Sequence, residues 1–162
     1  MNTDCIEKQI LLRAPMDRVW RAIADSSELG AWFGMRVDGP FVAGETVRCF
    51  IVPTTMDPEV AAAQKACEGM AFELFIERME PEKVLAFRWH PQALDETVDY
   101  SAEPTTLVTF ALDQQDDGVM LKVTESGFDQ IPLDRRARAF SANEQGWSIQ
   151  VRLVEAYLAK SK

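Results

Sequence analysis

The sequence predicts an α+β fold in which a curved antiparallel sheet of about six to seven strands wraps around one long C-terminal helix. The segment after Pro132 carries a single apolar stripe at helical spacing. The middle of the chain alternates apolar and polar residues between short turns, a pattern typical of antiparallel strands. No repeat or linker divides the 162 residues, so we expect one domain spanning 1–162.

The first segments predict one strand followed by two short helices. Residues Cys5–Leu12 alternate enough to form the strand. Pro15 suits the first turn of a helix, where its missing N–H is not needed. The run Asp25-Ser26-Ser27-Glu28 resembles a capping box for a second helix that ends near Gly30.

The central segments predict strands joined into hairpins. Glycines at 34, 39 and 44 mark the turns of the first hairpin, and Asp117-Gly118 is a strong signal for the last one. The predicted strands after the first hairpin arm are Glu45–Pro53, Met70–Met79, Lys83–His90, Thr105–Asp113 and Val119–Glu125.

The C-terminal segment predicts the long helix. Pro132 suits its start, and Asp134 favours the positive end of the helix dipole. Its length of about 28 residues corresponds to roughly 42 Å, enough to cross a sheet. The stripe that must be buried consists of Phe140, Trp147, Val151, Val154 and Leu158.

Composition and charge exclude several classes of function. A hydrophobic fraction of 47% with 27% charged residues is ordinary for a globular protein. The net charge of −9 argues against nucleic acid and against anionic membrane surfaces as partners. The start of the chain lacks an export signal and the three cysteines are widely spaced, so we expect free thiols and a cytoplasmic location. No pattern for a metal, a cofactor or a catalytic nucleophile is present, and we assign no catalytic residue.

Four segments carry a resemblance to a known family. They are Pro15–Ile23, Leu29-Gly30-Ala31-Trp32-Phe33, Pro81–Trp89, and the set Thr106–Phe110, Thr124–Phe128 and Gly146-Trp147. Together they resemble the SRPBCC superfamily of START and Bet v 1-like domains, which have the helix-grip fold. Within it, the chain is similar to the branch related to the activator of Hsp90 ATPase (AHSA1-like).

The resemblance implies binding of a small hydrophobic or aromatic molecule, such as a lipid, polyketide or flavonoid, between the sheet and the C-terminal helix. It leaves two alternatives. One is an interaction module that regulates an Hsp90-type chaperone, and the other is an enzyme similar to polyketide cyclases and aromatases. Fold alone does not choose between them.

Strand alternation and helical spacing predict which residues face the cavity. Trp32 and Trp147 are candidate pocket walls, where the helix and the sheet are expected to part. Glu125 and Glu144 are carboxylates in otherwise apolar rows. They either bind a ligand, act as a general base, or lie at an element's margin and reach water or a nearby arginine. The expected ligand-binding residues are Trp32, Phe33, Phe72, Leu74, Phe87, Trp89, Phe110, Val123, Glu125, Phe140, Glu144, Trp147 and Val151.

Two long connections, Thr54–Glu68 and Pro91–Pro104, are expected to leave the sheet at the same end. They form either a lid over the cavity mouth or a pair of solvated loops. Val60–Ala66 predicts a short helix in the first. The second has an acidic rim comprising Asp95, Glu96, Asp99, Tyr100 and Glu103. His90, the only histidine, is expected to end its strand and to point away from the cavity.

Overall fold

A computed structural model describes residues 4–93 and 97–160. Asp95 and Glu96, two members of the predicted acidic rim, lie outside the described residues.

The order of elements is the predicted one, with strands labelled β and helices α in chain order. The N-terminal half contains β1 (Ile6–Leu12), α1 (Met16–Ala24), α2 (Ser26–Phe33), β2 (Met35–Val37), β3 (Thr46–Ile51) and α3 (Pro58–Lys65). The C-terminal half contains β4 (Ala71–Glu80), β5 (Val84–Trp89), β6 (Thr106–Gln115), β7 (Gly118–Ser126), a 3₁₀ turn (Phe128–Gln130) and α4 (Leu133–Lys160).

The seven strands form one antiparallel sheet with the order β1-β7-β6-β5-β4-β3-β2. From β2 onward the strands follow one another in space as in sequence, and β1 closes the other edge against β7. The long helix packs mainly against β1 and α2. The predicted α+β helix-grip fold is therefore confirmed.

The register of the strands builds continuous rows across the inner face of the sheet. One row joins Ile76, Phe87 and Val108, and then reaches Glu125. The first three side chains are apolar and buried. Glu125 is therefore a buried carboxylate at a position where a hydrophobic residue is expected.

The buried stripe of α4 lies one residue away from part of the predicted stripe. Trp147, Val151, Val154 and Leu158 are buried as expected, but the next buried position towards the N-terminus is Asn143. Glu144 is exposed, so the expectation that it faces the sheet is wrong. Successive helical residues are about 100° apart, and a shift of one residue moves a side chain from the core to water.

Candidate functional site

Glu125 lies at the end of β7, is 0% exposed, and accepts hydrogen bonds from four side chains. Trp89 of β5 donates its indole N–H to Oε2 over 2.8 Å, and Trp147 of α4 donates to Oε1 over 2.8 Å. The Thr106 hydroxyl lies 2.5 Å from Oε2. Asn143 Nδ2 lies 2.9 Å from Oε1 and 3.1 Å from Oε2. These donors replace the water that a buried carboxylate loses.

The donors come from three elements, β5, β6 and α4. Trp89 of β5 is paired with Thr106 of β6. Val108, two residues further along β6, is paired with Glu125 of β7, so the strand register brings Thr106 and Trp89 close to the carboxylate. Asn143 and Trp147 are four residues apart on α4, so both point from the same face of the helix. The carboxylate therefore ties the helix to the sheet at one point.

Five aromatic rings fill the space around this carboxylate. Trp89 contacts Phe87, Phe33 and Trp147, with ring centroids 5.4, 6.2 and 6.0 Å apart. Phe110 adds edge contacts to Phe87 and Trp147, each with centroids within 6 Å. Edge-to-face pairs at these distances are favourable. These rings are packed against one another beneath this part of α4.

A recess of about 1460 Å³ lies beside this aromatic cluster, between α4, α3 and the β3–β5 part of the sheet. Its inner wall is apolar and comprises Phe33, Ile51, Met56, Val60, Phe72, Trp89, Ile149 and Leu153. It continues to Arg48, Glu73 and Phe75, which alternate with inner-face residues and so lie on the outer face of the sheet. The volume of 1460 Å³ therefore includes space on both faces of the sheet. Only part of it lies against the apolar inner wall.

A second stripe of α4 lines the recess. It consists of Ala142, Gly146, Ile149, Leu153 and Ala156, which repeat at helical spacing. Because three of these residues are Ala or Gly, few side-chain atoms extend from the helix into the recess. No atom lies within 4 Å of the place that a Cβ would take at Gly146. The space beside Gly146 is therefore open.

The first long connection closes one side of the recess through Gln64 of α3. Its side-chain Oε1 accepts from the Thr54 backbone N–H over 2.8 Å, and its Nε2 donates to the Phe33 carbonyl over 2.9 Å. Gly34, with φ +104°, leaves the room that this amide occupies, because a Cβ there would lie 2.3 Å from Gln64 Nε2. The predicted helix in this connection is present as α3.

The second long connection is held to the start of α4 by Arg135. The guanidinium lies 2.7 Å from Glu103 Oε1, donates to the Pro91 carbonyl over 3.1 Å, and lies 4.9 Å from the centroid of the Tyr100 ring. Gln92 Nε2 donates to Asn143 Oδ1 over 2.7 Å. This bond connects the loop to Asn143, one of the hydrogen-bond donors to Glu125.

Both long connections contribute residues to the recess, as their common exit from the sheet predicted. Met56, Val60 and Gln64 come from the first, and Gln92 and Tyr100 come from the second. Their opening and closing as a lid stays a prediction.

The structure divides the predicted ligand-binding residues into two groups. Phe33, Phe72 and Trp89 line the recess. The others do not line it, and most of them are packed in the core. The buried ones are Trp32, Leu74, Phe87, Phe110, Val123, Glu125, Trp147 and Val151. Trp32 donates its indole N–H to the Ala22 carbonyl, in the contact between α1 and α2. Phe140 packs on Phe128, and Glu144 is exposed.

The sequence reasoning missed Asn143, Gln64 and the second stripe of α4. The stripe was present in the sequence as small and apolar residues from Ala142 to Ala156. Asn143 and Gln64 had no such signal, because an isolated amide in a helix looks the same whether it faces water or a buried carboxylate.

His90 and the cysteines form no catalytic arrangement in the described residues. His90 directly follows the end of β5, as expected, but it lines the recess, so the expectation that it faces away from the cavity is not met. Its Nε2 lies 3.1 Å from the Glu103 carbonyl oxygen. Cys5, Cys49 and Cys67 are free, and burial raises the pKa of the Cys49 thiol to about 12. Within residues 4–93 and 97–160, no group of three His, Cys, Asp or Glu side chains is placed to hold a metal ion. No helix in this part of the chain has the length and apolar character needed to span a bilayer.

Comparison with known proteins identifies the family. The family profile described as "Activator of Hsp90 ATPase homolog 1-like protein" matches residues 13–159. No curated protein matches the sequence at a significant level.

Several solved structures share the fold at low sequence identity. Protein MLL2253 from Mesorhizobium loti has a TM-score of 0.71 and 20% identity, with 98% of each chain covered. The Aha1 dimer from Colwellia psychrerythraea has a TM-score of 0.67 and 14% identity, with 95% of each chain covered. DynU16, described as a putative protein in the dynemicin biosynthetic locus, has a TM-score of 0.68 and 23% identity over 98% of this chain. This chain spans about half (48%) of the length of DynU16.

Proposed function

The chain belongs to the activator of Hsp90 ATPase homolog 1-like family, and from that premise we propose that it binds a small hydrophobic or aromatic molecule in the recess beside α4. The observation that carries the proposal is the apolar inner wall of this recess, formed by three strands (β3, β4 and β5), the end of α2, α3 and the second stripe of α4. Ligand sites are typically concave and apolar, with a few polar groups that fix orientation.

The aromatic part of the wall suits a flat apolar ligand. Phe33 and Trp89 meet at an interplanar angle of 64°, so together they form a corner. Trp89 is held by its bond to Glu125, and the Phe33 backbone carbonyl accepts from both Gln64 and Gln150. A corner whose members are fixed by hydrogen bonds needs little reorganisation when a ligand packs into it.

Three amides of the recess that are held by hydrogen bonds supply the polar contacts. Gln64, Gln92 and Asn143 line the recess, one from each of the segments that surround it. Each is held by at least one hydrogen bond within the protein. They select among apolar ligands by the position of a hydroxyl or carbonyl group.

The geometry favours binding over catalysis by the two glutamates. A general base must come within hydrogen-bond reach of the proton that it removes. Glu125 is fully buried behind Trp89 and Asn143, and Glu144 is exposed on another face of α4. A reaction at either carboxylate would need a rearrangement of the aromatic cluster or a site outside the recess.

A chaperone-regulating role is the competing proposal, and it is supported by the family description and by the fold shared with the Aha1 dimer. It predicts that the purified protein stimulates the ATPase of an Hsp90-type chaperone. Stimulation that is insensitive to occupation of the recess would favour this role over ligand binding.

Thermal-shift and native mass spectrometry screens against fatty acids, flavonoids and polyketide-like aromatics test the binding proposal. Gly146→Leu places a side chain in open space on the recess wall, and Gly146→Ala is the matched control that changes helix propensity without filling the recess. We expect a bound ligand to stabilise the natural protein and Gly146→Ala but not Gly146→Leu. The absence of any stabilising ligand, or equal stabilisation of all three proteins, would contradict the proposal.

A further inference from the structure

We propose that the recess selects hydrophobic molecules that carry a positively charged amine or ammonium group, which binds in the corner between Phe33 and Trp89. This inference rests on the proposed binding function and names the chemical class of its ligand. Three observations support it: a buried carboxylate without a cation, the polarisation of Trp89, and the direction of a chain of amides.

Glu125 carries its negative charge without a cationic partner among residues 4–93 and 97–160. Its hydrogen-bond partners are Trp89, Thr106, Asn143 and Trp147, and no ion pair of the described residues includes it. The two indoles and the amide present N–H groups that can only donate, and an ionised carboxylate is the form that accepts from all of them. Most buried charges are paired, so this one leaves an unbalanced negative potential in the interior.

Trp89 brings that potential to the recess. Its indole N–H lies 2.8 Å from Glu125 Oε2, while its ring lines the recess. Hydrogen bonding to an anion polarises the indole and makes its face richer in electrons. The faces of aromatic rings attract cations, and Trp is the strongest of them. The adjoining Phe33 ring, at 64° to Trp89, offers a second ring to the same group.

The amides of Asn143 and Gln92 form a hydrogen-bond chain from Glu125 to the second long connection, and each amide points its NH₂ group towards Glu125. Because the carboxylate only accepts, Asn143 must turn its NH₂ towards Glu125, and its Oδ1 then accepts from Gln92 Nε2 over 2.7 Å. Gln92 therefore keeps its own carbonyl oxygen as the acceptor end of this chain, on a residue that lines the recess. An acceptor suits a ligand that donates N–H groups.

The charges at the rim do not reverse this preference. The recess is bordered by Arg48, Arg88 and Arg152 and by the acids Asp57, Glu59, Glu73 and Asp99. Arg88 pairs with Glu77 over 2.7 Å, and Arg48 stacks on Phe50. Water and salt screen exposed charges much more than a buried one. Glu125 therefore dominates the field at the inner corner.

The test compares phenyltrimethylammonium with tert-butylbenzene, which have the same shape and differ in charge. Titrations followed by tryptophan fluorescence and by the indole N–H signals in NMR measure both affinities. We expect the cation to bind at least tenfold more tightly. Equal or tighter binding of tert-butylbenzene would overturn the inference and leave the proposed function intact, whereas binding of neither probe would remove support from both.

Two variants locate the source of the selectivity. In Glu125→Gln the cation preference, measured as the ratio of the two affinities, should fall at least fivefold. Asp116→Asn removes one negative charge at the β6–β7 turn, away from the recess, and should leave the ratio unchanged. An equal loss in both variants would attribute the preference to net charge and contradict a role of Glu125. If Glu125→Gln does not fold, the affinity ratio in the natural protein still decides the question.

Discussion

Trp89 of β5 and Trp147 of α4 lie with their ring centroids 6.0 Å apart and donate their indole N–H groups to different oxygens of one carboxylate, Glu125. The sheet and the long helix are thus connected by a polar bridge inside an aromatic cluster. Trp89 also lines the recess, so the bridge that stabilises the fold sets the position of a wall of the candidate site.

Replacing Glu125 by Gln should lower the free energy of unfolding by about 2–4 kcal/mol. The amide NH₂ would face one of the N–H groups that now donate to the carboxylate, and that group would stay buried without an acceptor. Urea denaturation followed by circular dichroism measures the change. Glu144→Gln, at an exposed position on α4, is the control and should change stability by less than about 0.5 kcal/mol. Similar stability of both variants would contradict the bridge.

Replacing Gly34 by Ala should cost more than the same change at Gly44. Both glycines have positive φ, at +104° and +88°, so both substitutions incur a backbone cost of about 1 kcal/mol. At Gly34 the new Cβ also collides with the Gln64 amide, and moving that amide breaks its bonds to Thr54 and Phe33. We expect an additional loss of about 1–2 kcal/mol.

The readout that separates the two glycine variants is local. Hydrogen exchange of the α3 amides should accelerate in Gly34→Ala and not in Gly44→Ala, since no atom lies within 4 Å of a Cβ at Gly44. Equal exchange in the two variants would mean that Gln64 does not hold α3 in place.

Replacing Arg135 by Gln should release the second long connection from α4. The substitution removes the ion pair with Glu103 and the stacking on Tyr100. Faster hydrogen exchange and proteolysis at residues 97–104 are the expected results, with a change in global stability below about 1 kcal/mol because the ion pair is only partly buried. Arg138→Gln, on an exposed side chain one turn along the same helix, should leave the loop unchanged.

The fold was predictable because its signals are local. The turn at Asp117-Gly118, the Pro132 start of α4 and the alternation of β5 and β6 each depend on a few neighbouring residues. Strand alternation and helical spacing also named Phe33, Phe72 and Trp89, which line the recess, but with them core residues such as Phe87, because these patterns give the face of an element and not the depth of burial. Glu125 was recognised as anomalous, but its donors come from β5, β6 and α4, and only the three-dimensional register brings them together.

The choice between Asn143 and Glu144 shows the limit most clearly. The predicted stripe ran through Phe140 and Glu144, while the buried stripe runs through Ala139 and Asn143. Both phases include Trp147 and Val151, so hydropathy alone does not separate them. In the observed phase Asn143 donates to Glu125, a contact that spacing along the helix does not reveal.

The thiols should react with an aromatic disulfide reagent at very different rates. Cys67 is partly exposed beside the recess, whereas Cys49 is buried and burial raises the pKa of its thiol from 9.0 to about 12. The thiolate is the reactive form, so Cys49 should stay unlabelled in the native protein at pH 8 and react only on unfolding. Cys67→Ser should remove the fast phase of labelling. A fast phase that persists in that variant would assign it to another thiol.

The same thiol links stability to pH. In the unfolded chain Cys49 loses its proton near pH 9, while in the folded protein it keeps the proton up to about pH 12. The stabilisation is complete below pH 9 and is lost as the pH rises from there towards 12. Cys49→Ala lacks this ionisation, so its free energy of unfolding should fall less steeply over that interval, although the cavity lowers its stability at neutral pH. Urea titrations of both proteins between pH 8 and 11 measure the difference, and parallel curves would contradict a raised pKa of Cys49.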